Sequence, residues 1–279
     1  MISTKVGAFF GVVAGRGCVF GKIRTNCVLR YKSNKRFQFV EISLYLHFGI
    51  RLFIHIVFAM YNYVQKILEL PDAPNQIEAL ITAFNEEKRR RLEFYEWITE
   101  DVKAEFINGE IVIHSPVKKR HWYVSDLLSR LLSYYASLKK LGRVGTEKVM
   151  ISLTRNDYEP DICFFSAEKS DQFTEEQVLF PAPDFVVEIL SKKTAATDRG
   201  IKKTDYAAHG VREYWIVDPI KQRIEQYILP TGSDEYFPAK THQWGEEIES
   251  VAIPGFKIPV QAIFEEAANV AALKDLMKE

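Results

Sequence analysis

The sequence predicts an α/β domain of the α+β kind, with a central mixed β-sheet flanked by helices and an N-terminal helical extension. Three observations predict it. Apolar residues recur at helical spacing between Tyr61 and Trp97, and an Asn108-Gly109 dipeptide separates two short β-prone runs. Further on, amphipathic stretches alternate with short apolar runs rich in Val, Ile and Phe. Helices interleaved with strands in this way bury their apolar sides against a shared sheet.

The helical extension covers Tyr61 to Leu70 and Pro74 to Trp97, with Ile77, Leu80, Ile81, Phe84, Leu92 and Tyr95 at helical positions. The run Glu86-Glu87-Lys88-Arg89-Arg90-Arg91 within it reads as a solvated face. Ala104 to Ile107 and Glu110 to His114 flank Asn108-Gly109 and predict a hairpin, because a type I′ turn needs positive φ at both central residues. Ser115-Pro116 ends that strand. From His121 to Leu141 a stripe of Val124, Leu127, Leu128, Leu131, Leu132, Tyr135 and Leu138 predicts a core-facing helix closed by Gly142. Strands are expected at Val144 to Leu153, Asp161 to Ser166 and Asp184 to Leu190. A helix from Asp198 to His209 and strands at Glu213 to Val217 and Arg223 to Leu229 follow. No internal repeat or low-complexity linker interrupts them.

Charge divides the chain. Residues 1–59 hold nine Lys/Arg against the single acid Glu41, a net of +8, which leaves 28 basic and 36 acidic residues, or −8, in 60–279. The first segment also mixes a Gly-rich stretch with an apolar run, Ile42 to Met60, that lacks clean periodicity. His47, Arg51 and His55 interrupt that run, which argues against a membrane anchor. We read 1–59 as an atypical extension upstream of a start at Met60, 60–98 as a helical lead-in, and 99–279 as the main domain. Cys18, Cys27 and Cys163 lack metal-ligand spacing and cannot all pair, which favours a reducing, cytoplasmic setting. An acidic domain does not hold nucleic acid by bulk charge, so any such contact needs a local patch.

Three places carry chemistry. In Asp184-Phe185-Val186-Val187-Glu188-Ile189-Leu190 an acid interrupts an apolar run that reads as a strand covered on both faces. A carboxylate there is either paired or holds a cation. Asp161, after Pro160, opens the apolar strand Ile162-Cys163-Phe164-Phe165; alone it reads as a strand entry. Two strand acids can converge across neighbouring strands, and oxygen donors of that kind suit Mg²⁺. Asp198, Lys202 and Tyr206 recur every four residues and so share one helix face. That spacing is equally compatible with a surface ion pair, whose lysine could be removed with little effect on the fold.

The ordered string Ala104-Glu105-Phe106-Ile107-Asn108-Gly109-Glu110, Ser115-Pro116, His121, Pro160-Asp161, Val187-Glu188-Ile189-Leu190-Ser191, Asp198, Lys202, Tyr206 and Glu213-Tyr214-Trp215-Ile216-Val217-Asp218-Pro219 resembles the Uma-two family of restriction endonucleases, in the PD-(D/E)xK nuclease superfamily. The resemblance runs from about Phe94 to Phe264 in one register. It implies a restriction endonuclease-like fold and Mg²⁺- or Mn²⁺-dependent hydrolysis of DNA phosphodiesters. Asp161 and Glu188 would bind the metal with the Ile189 carbonyl. Position 190 is Leu where the superfamily has Lys, so the basic role passes to Lys202, with Lys203 the off-face neighbour.

Glu105 is either a further metal or water ligand or an exposed strand residue. His121 is either a general base or, as we favour, a helix-start residue. Tyr206, Tyr214 and Trp215 read as core aromatics, and Asp218-Pro219 as a turn. A homodimer is left open. The rival to a nuclease is a catalytically inactive module of the same fold that binds nucleic acid or protein, supported by the −8 charge and by Leu190.

Overall fold

The computed structural model describes residues 64–278, so the expectations for 1–59 and for Cys18 and Cys27 lie outside the described residues. A long helix α1 (Ala73–Trp97) leads into β1 (Ala104–Ile107) and β2 (Glu110–Ile113). Helix α2 (Lys119–Leu138) is followed by β3 (Gly142–Thr146), β4 (Met150–Ser152), β5 (Asp157–Tyr158) and β6 (Ile162–Ser166). After the short α3 (Ala167–Ser170) come β7 (Leu179–Phe180), β8 (Phe185–Ile189) and a kinked helical segment made of α4 (Ala195–Thr197), a π-type turn at Asp198–Lys202 and α5 (Lys203–Ala208). Strands β9 (Glu213–Asp218), β10 (Arg223–Ile228), β11 (Lys240–Gln243), β12 (Glu247–Glu249) and β13 (Lys257–Pro259), with α6 (Glu266–Leu276), complete the chain.

The strands form two larger sheets and a small one. The six-stranded sheet has the order β11-β10-β9-β8-β6-β3, the five-stranded sheet the order β2-β1-β5-β4-β7, and β12 pairs with β13. Only β8–β9 in the larger sheet and β4–β7 in the smaller run parallel, so both sheets are mixed. The parallel pair β8–β9 is what requires the intervening kinked helix, because parallel neighbours need a crossover.

Alternation along the central strands sorts their side chains onto two faces. Phe185, Val187 and Ile189 of β8, with Ile162 and Phe164 of β6, pack against Leu128, Leu131 and Leu132 of α2. Val186, Cys163, Phe165, Tyr214 and Ile216 point the other way, into a second cluster with Ile151, Tyr158 and Tyr206. Period two therefore places Asp161 and Glu188 on the second face, toward the smaller sheet. Glu105 alternates with Ala104 and Phe106, which pack on Phe94, so it too is turned away from α1 and toward that inner layer.

The structure corrects three local expectations. Val144 to Leu153 is not one strand: Glu147 and Lys148 adopt φ of 46° and 40°, and the chain turns there from β3 in one sheet to β4 in the other. Gly142 does not close α2, which ends at Leu138; it opens β3 at φ 147°, and a Cβ there would lie 2.0 Å from the Phe165 carbonyl oxygen. The charge run of α1 is not wholly solvated. Glu87 is buried and takes two hydrogen bonds from Arg155, at 2.7 and 2.8 Å. Arg91 grips Asp157 with two contacts of 2.6 Å. Ion pairs, together with Phe94, thus fasten α1, while Leu80, Ile81 and Phe84 stay exposed.

Candidate active site

The register of β6 against β8 pairs Ile162 with Val187, Cys163 with Val186 and Phe164 with Phe185. Carried one residue further, it sets Asp161 directly across from Glu188. The Ile189 N–H confirms the approach by donating to Asp161 Oδ2 at 2.7 Å. Glu105 arrives from the other sheet and accepts the Glu159 N–H at 2.9 Å. All three carboxylates are buried, as are Asp198 and Glu159.

Lys202 is the cation at their centre. Its side chain is 2% exposed, and Nζ lies 2.7 Å from Glu105 Oε1, 2.9 Å from Glu188 Oε1 and 3.8 Å from Asp198 Oδ1, over the Tyr158 ring. Tyr206 donates to the same Glu188 oxygen at 3.3 Å. Asp198, Lys202 and Tyr206 therefore do share a face, turned inward rather than to solvent. The segment bends at Gly200, whose φ of −103° and ψ of −105° are not helical; π-type irregularities of this kind are common where a helix must redirect a functional side chain. The surface-pair alternative for Asp198–Lys202 is thereby excluded.

Around Asp161, His121 Nε2 stands 3.1 Å from Oδ2 and Lys103 Nζ 3.5 Å from Oδ1. Behind Glu105, His114 Nε2 lies 3.1 Å from Oε2. Lys103 and His114 escaped sequence reasoning, as did the contact of His121 with Asp161, although one signal existed for His114. The hairpin register pairs Glu105 with Val112, so His114 is its diagonal neighbour on the same face. Lys203 lies outside the cluster, over the Tyr227 ring.

Five buried acids share this pocket, three of them around the Lys202 ammonium and Asp161 beside Lys103 and His121. Burial, with the charges of Asp198, Asp161 and Glu105, holds the Glu188 carboxyl well above the ordinary carboxylate range despite Lys202. Burial likewise raises Asp198 to about 6 and Glu159 to about 7. Asp161 goes the other way: burial opposes ionisation, but His121, Lys103 and the Ile189 N–H together lower its pKa. Glu105 is lowered too, since Lys202 and His114 outweigh its burial. Lys202 itself is raised well above its usual value, because three carboxylates overcome its desolvation.

The cluster floors a cleft of about 750 Å³ lined by both sheets, the β2–α2 loop and the segment after β8. Its donors fit a hard divalent cation on two counts. They are oxygens in excess of the local positive charge, and Asp198 Oδ1 is buried with no hydrogen-bond partner. Among the described residues, no three His, Cys, Asp or Glu side chains are placed to hold one ion together. Each of the three carboxylates already has partners, Lys202, His114 and the Glu159 N–H at Glu105, His121, Lys103 and the Ile189 N–H at Asp161, and Lys202 and Tyr206 at one oxygen of Glu188; Asp161 and Glu188 are the two that face each other across the β6–β8 pair. Mg²⁺ commonly takes only one or two carboxylates and completes its shell with water.

Comparison with known proteins agrees with this architecture. A family model, Uma2, described as "Putative restriction endonuclease", matches residues 91–261. No curated protein matches the chain. A crystal structure described as a "putative nuclease belonging to DUF820" from Anabaena variabilis superposes with a TM-score of 0.54 at 17% identity, covering 62% of this chain and 95% of that one. At that identity the likeness shows the fold. Among the described residues no helix is long and apolar enough to cross a membrane.

Proposed function

The chain belongs to the Uma2 family, and on that premise we propose that it is a metal-dependent endonuclease that hydrolyses DNA phosphodiester bonds in the cleft above Asp161 and Glu188. The observation that carries the proposal is the convergence of Asp161, Glu188 and Lys202 on one cleft floor from three separate elements. A divalent cation such as Mg²⁺ or Mn²⁺, when bound, would neutralise charge developing on the phosphoryl oxygens and acidify water.

The residues of this chain set up that chemistry. Asp161 is ionised and fixed by the Ile189 N–H, and Glu188 faces it across one strand pair. These two would hold the cation, with the neighbouring Ile189 carbonyl as a further oxygen. Lys202, permanently charged, holds Glu188 and Glu105 in place and lays positive potential under the reacting phosphate. Glu105 thus acts on the lysine. His121 steadies the Asp161 carboxylate through Nε2.

The test is plasmid cleavage with Mg²⁺ or Mn²⁺ by the parent, Asp161→Asn and Glu188→Gln, with Mg²⁺ affinity measured by calorimetry. Both substitutions are expected to lower cleavage by about 10²-fold or more and to weaken cation binding while the protein stays folded. A folded parent that neither cleaves nor binds the cation overturns the proposal in favour of an inactive module of the same fold.

A further inference from the structure

Charges around the cleft are sorted by depth. Its acids, Glu105, Glu159, Asp161, Glu188, Asp198 and Asp218, are all buried. Its exposed charges are all positive: Lys118 and Arg120 where the β2–α2 loop enters α2, and Lys192 and Lys193 just after β8. The two segments adjoin, since Lys193 Nζ lies 3.5 Å from the Ile113 carbonyl at the end of β2. Lys118, Arg120 and Lys192 form no ion pair among the described residues, whereas elsewhere on the surface Arg89, Arg130 and Lys278 are paired with acids. Exposed cations gathered at one cleft mouth raise the local positive potential, which attracts an anion. That every exposed charge lining this cleft is positive, in a region of net −8, points to a polyanionic ligand rather than to general solubility.

We propose that Lys118, Arg120, Lys192 and Lys193 form the docking rim for the phosphate backbone of a polynucleotide, holding it across the acid floor. The inference rests on the nuclease reading for what happens at the floor, but it concerns binding. Two adjoining basic segments contact several successive phosphates, and contacts to phosphate fix register without reading base sequence. The rim also offsets the repulsion that buried carboxylates would exert on an approaching backbone. It answers how an acidic domain can bind nucleic acid: by a local patch of four exposed cations.

The experiment is fluorescence anisotropy with a short labelled DNA duplex, without divalent cation so that no hydrolysis intervenes, between about 50 and 200 mM salt. Single-stranded DNA, RNA and polyglutamate serve as further probes. The variant Lys118→Ala/Arg120→Ala/Lys192→Ala/Lys193→Ala is compared with a control of equal charge change at exposed positions away from the cleft, Lys88→Ala/Lys140→Ala/Lys240→Ala/Lys274→Ala. The rim variant is expected to bind at least about tenfold more weakly at low salt, with the slope of log K against log salt reduced by about 2 to 4, the loss of that many phosphate contacts. The control should stay within about twofold of the parent at the low-salt end, where the rim contacts dominate. Equal losses in both variants, binding of polyglutamate as tight as of nucleic acid, or no binding of any polynucleotide by the parent overturns the rim. Binding lost with the rim in a protein that never cleaves would overturn the hydrolytic reading alone; cleavage unaffected by the rim variant at low salt would overturn the rim alone.

Discussion

Replacing Lys202 by Met tests the electrostatic design of the site, because it removes the one ammonium that Glu105, Glu188 and Asp198 share. All four side chains are at most 6% exposed, so water cannot take over the lost pairing. Removing one partner of a buried ion pair costs about 3–5 kcal/mol, a large share of a typical 5–15 kcal/mol stability. For a domain of this size that corresponds to a fall in Tm of about 6–20 °C. This reverses the expectation from spacing alone, in which a surface lysine could be deleted without cost.

The pH dependence gives a second readout. In the parent, the folded pKa of Lys202 lies above its ordinary 10.5, so its stabilisation is complete below that value and is lost only as pH rises through the higher one. In the variant, Glu188 loses the cation that opposes its upward shift. The deficit should therefore be greatest at mildly alkaline pH, below the titration of Lys202 in the parent, where the folded variant must hold unpaired carboxylates, and shrink as pH falls through the raised pKa of Glu188. Urea unfolding of parent and variant at pH 8 and pH 5.5, both below the Lys202 window, measures that deficit. A deficit below about 1 kcal/mol at pH 8, or one that grows on acidification, would refute the reasoning.

Glu159, raised to about 7 chiefly by burial, binds its proton more tightly folded than unfolded, so its contribution favours the fold at low pH and is lost between about pH 4.5 and 7. Glu159→Gln should accordingly stabilise the protein at pH 8 by about 1–2 kcal/mol and leave it unchanged at pH 4.5, provided the Gln oxygen keeps the Ala104 N–H contact; parallel stability curves for the two proteins would exclude this. Gly142→Ala should cost upward of about 3 kcal/mol, because the added methyl would meet backbone, not a side chain that can rotate away, at a φ that L residues rarely adopt. Chemical denaturation reads that loss directly, and a variant within about 0.5 kcal/mol of the parent would show that β3 can shift as a unit.

How much of this was legible depends on whether a residue's partner lies within reach of a short-range period. Glu188 was readable because an acid inside an apolar run has no inexpensive place to go, and Asp161 because its strand follows at once. Lys202 and Tyr206 were readable because helical spacing carries them to one side. Spacing, however, does not say whether that side meets solvent or protein, and the answer came from the kink at Gly200 and from Glu105 arriving on a different sheet. His121 does stand at the start of α2 as read, but its pairing with Asp161, like that of Lys103, was not legible for the same reason. Each meets Asp161 across a large separation in sequence, His121 from the first turn of α2 and Lys103 from the residue before β1. No period links those positions; only the stacking of α2 and the hairpin around the β6–β8 pair does. The consequence is general for a site built between sheets: strand alternation reveals which acids are forced inward, whereas the cations that answer them come from elements whose placement only the assembled layers determine.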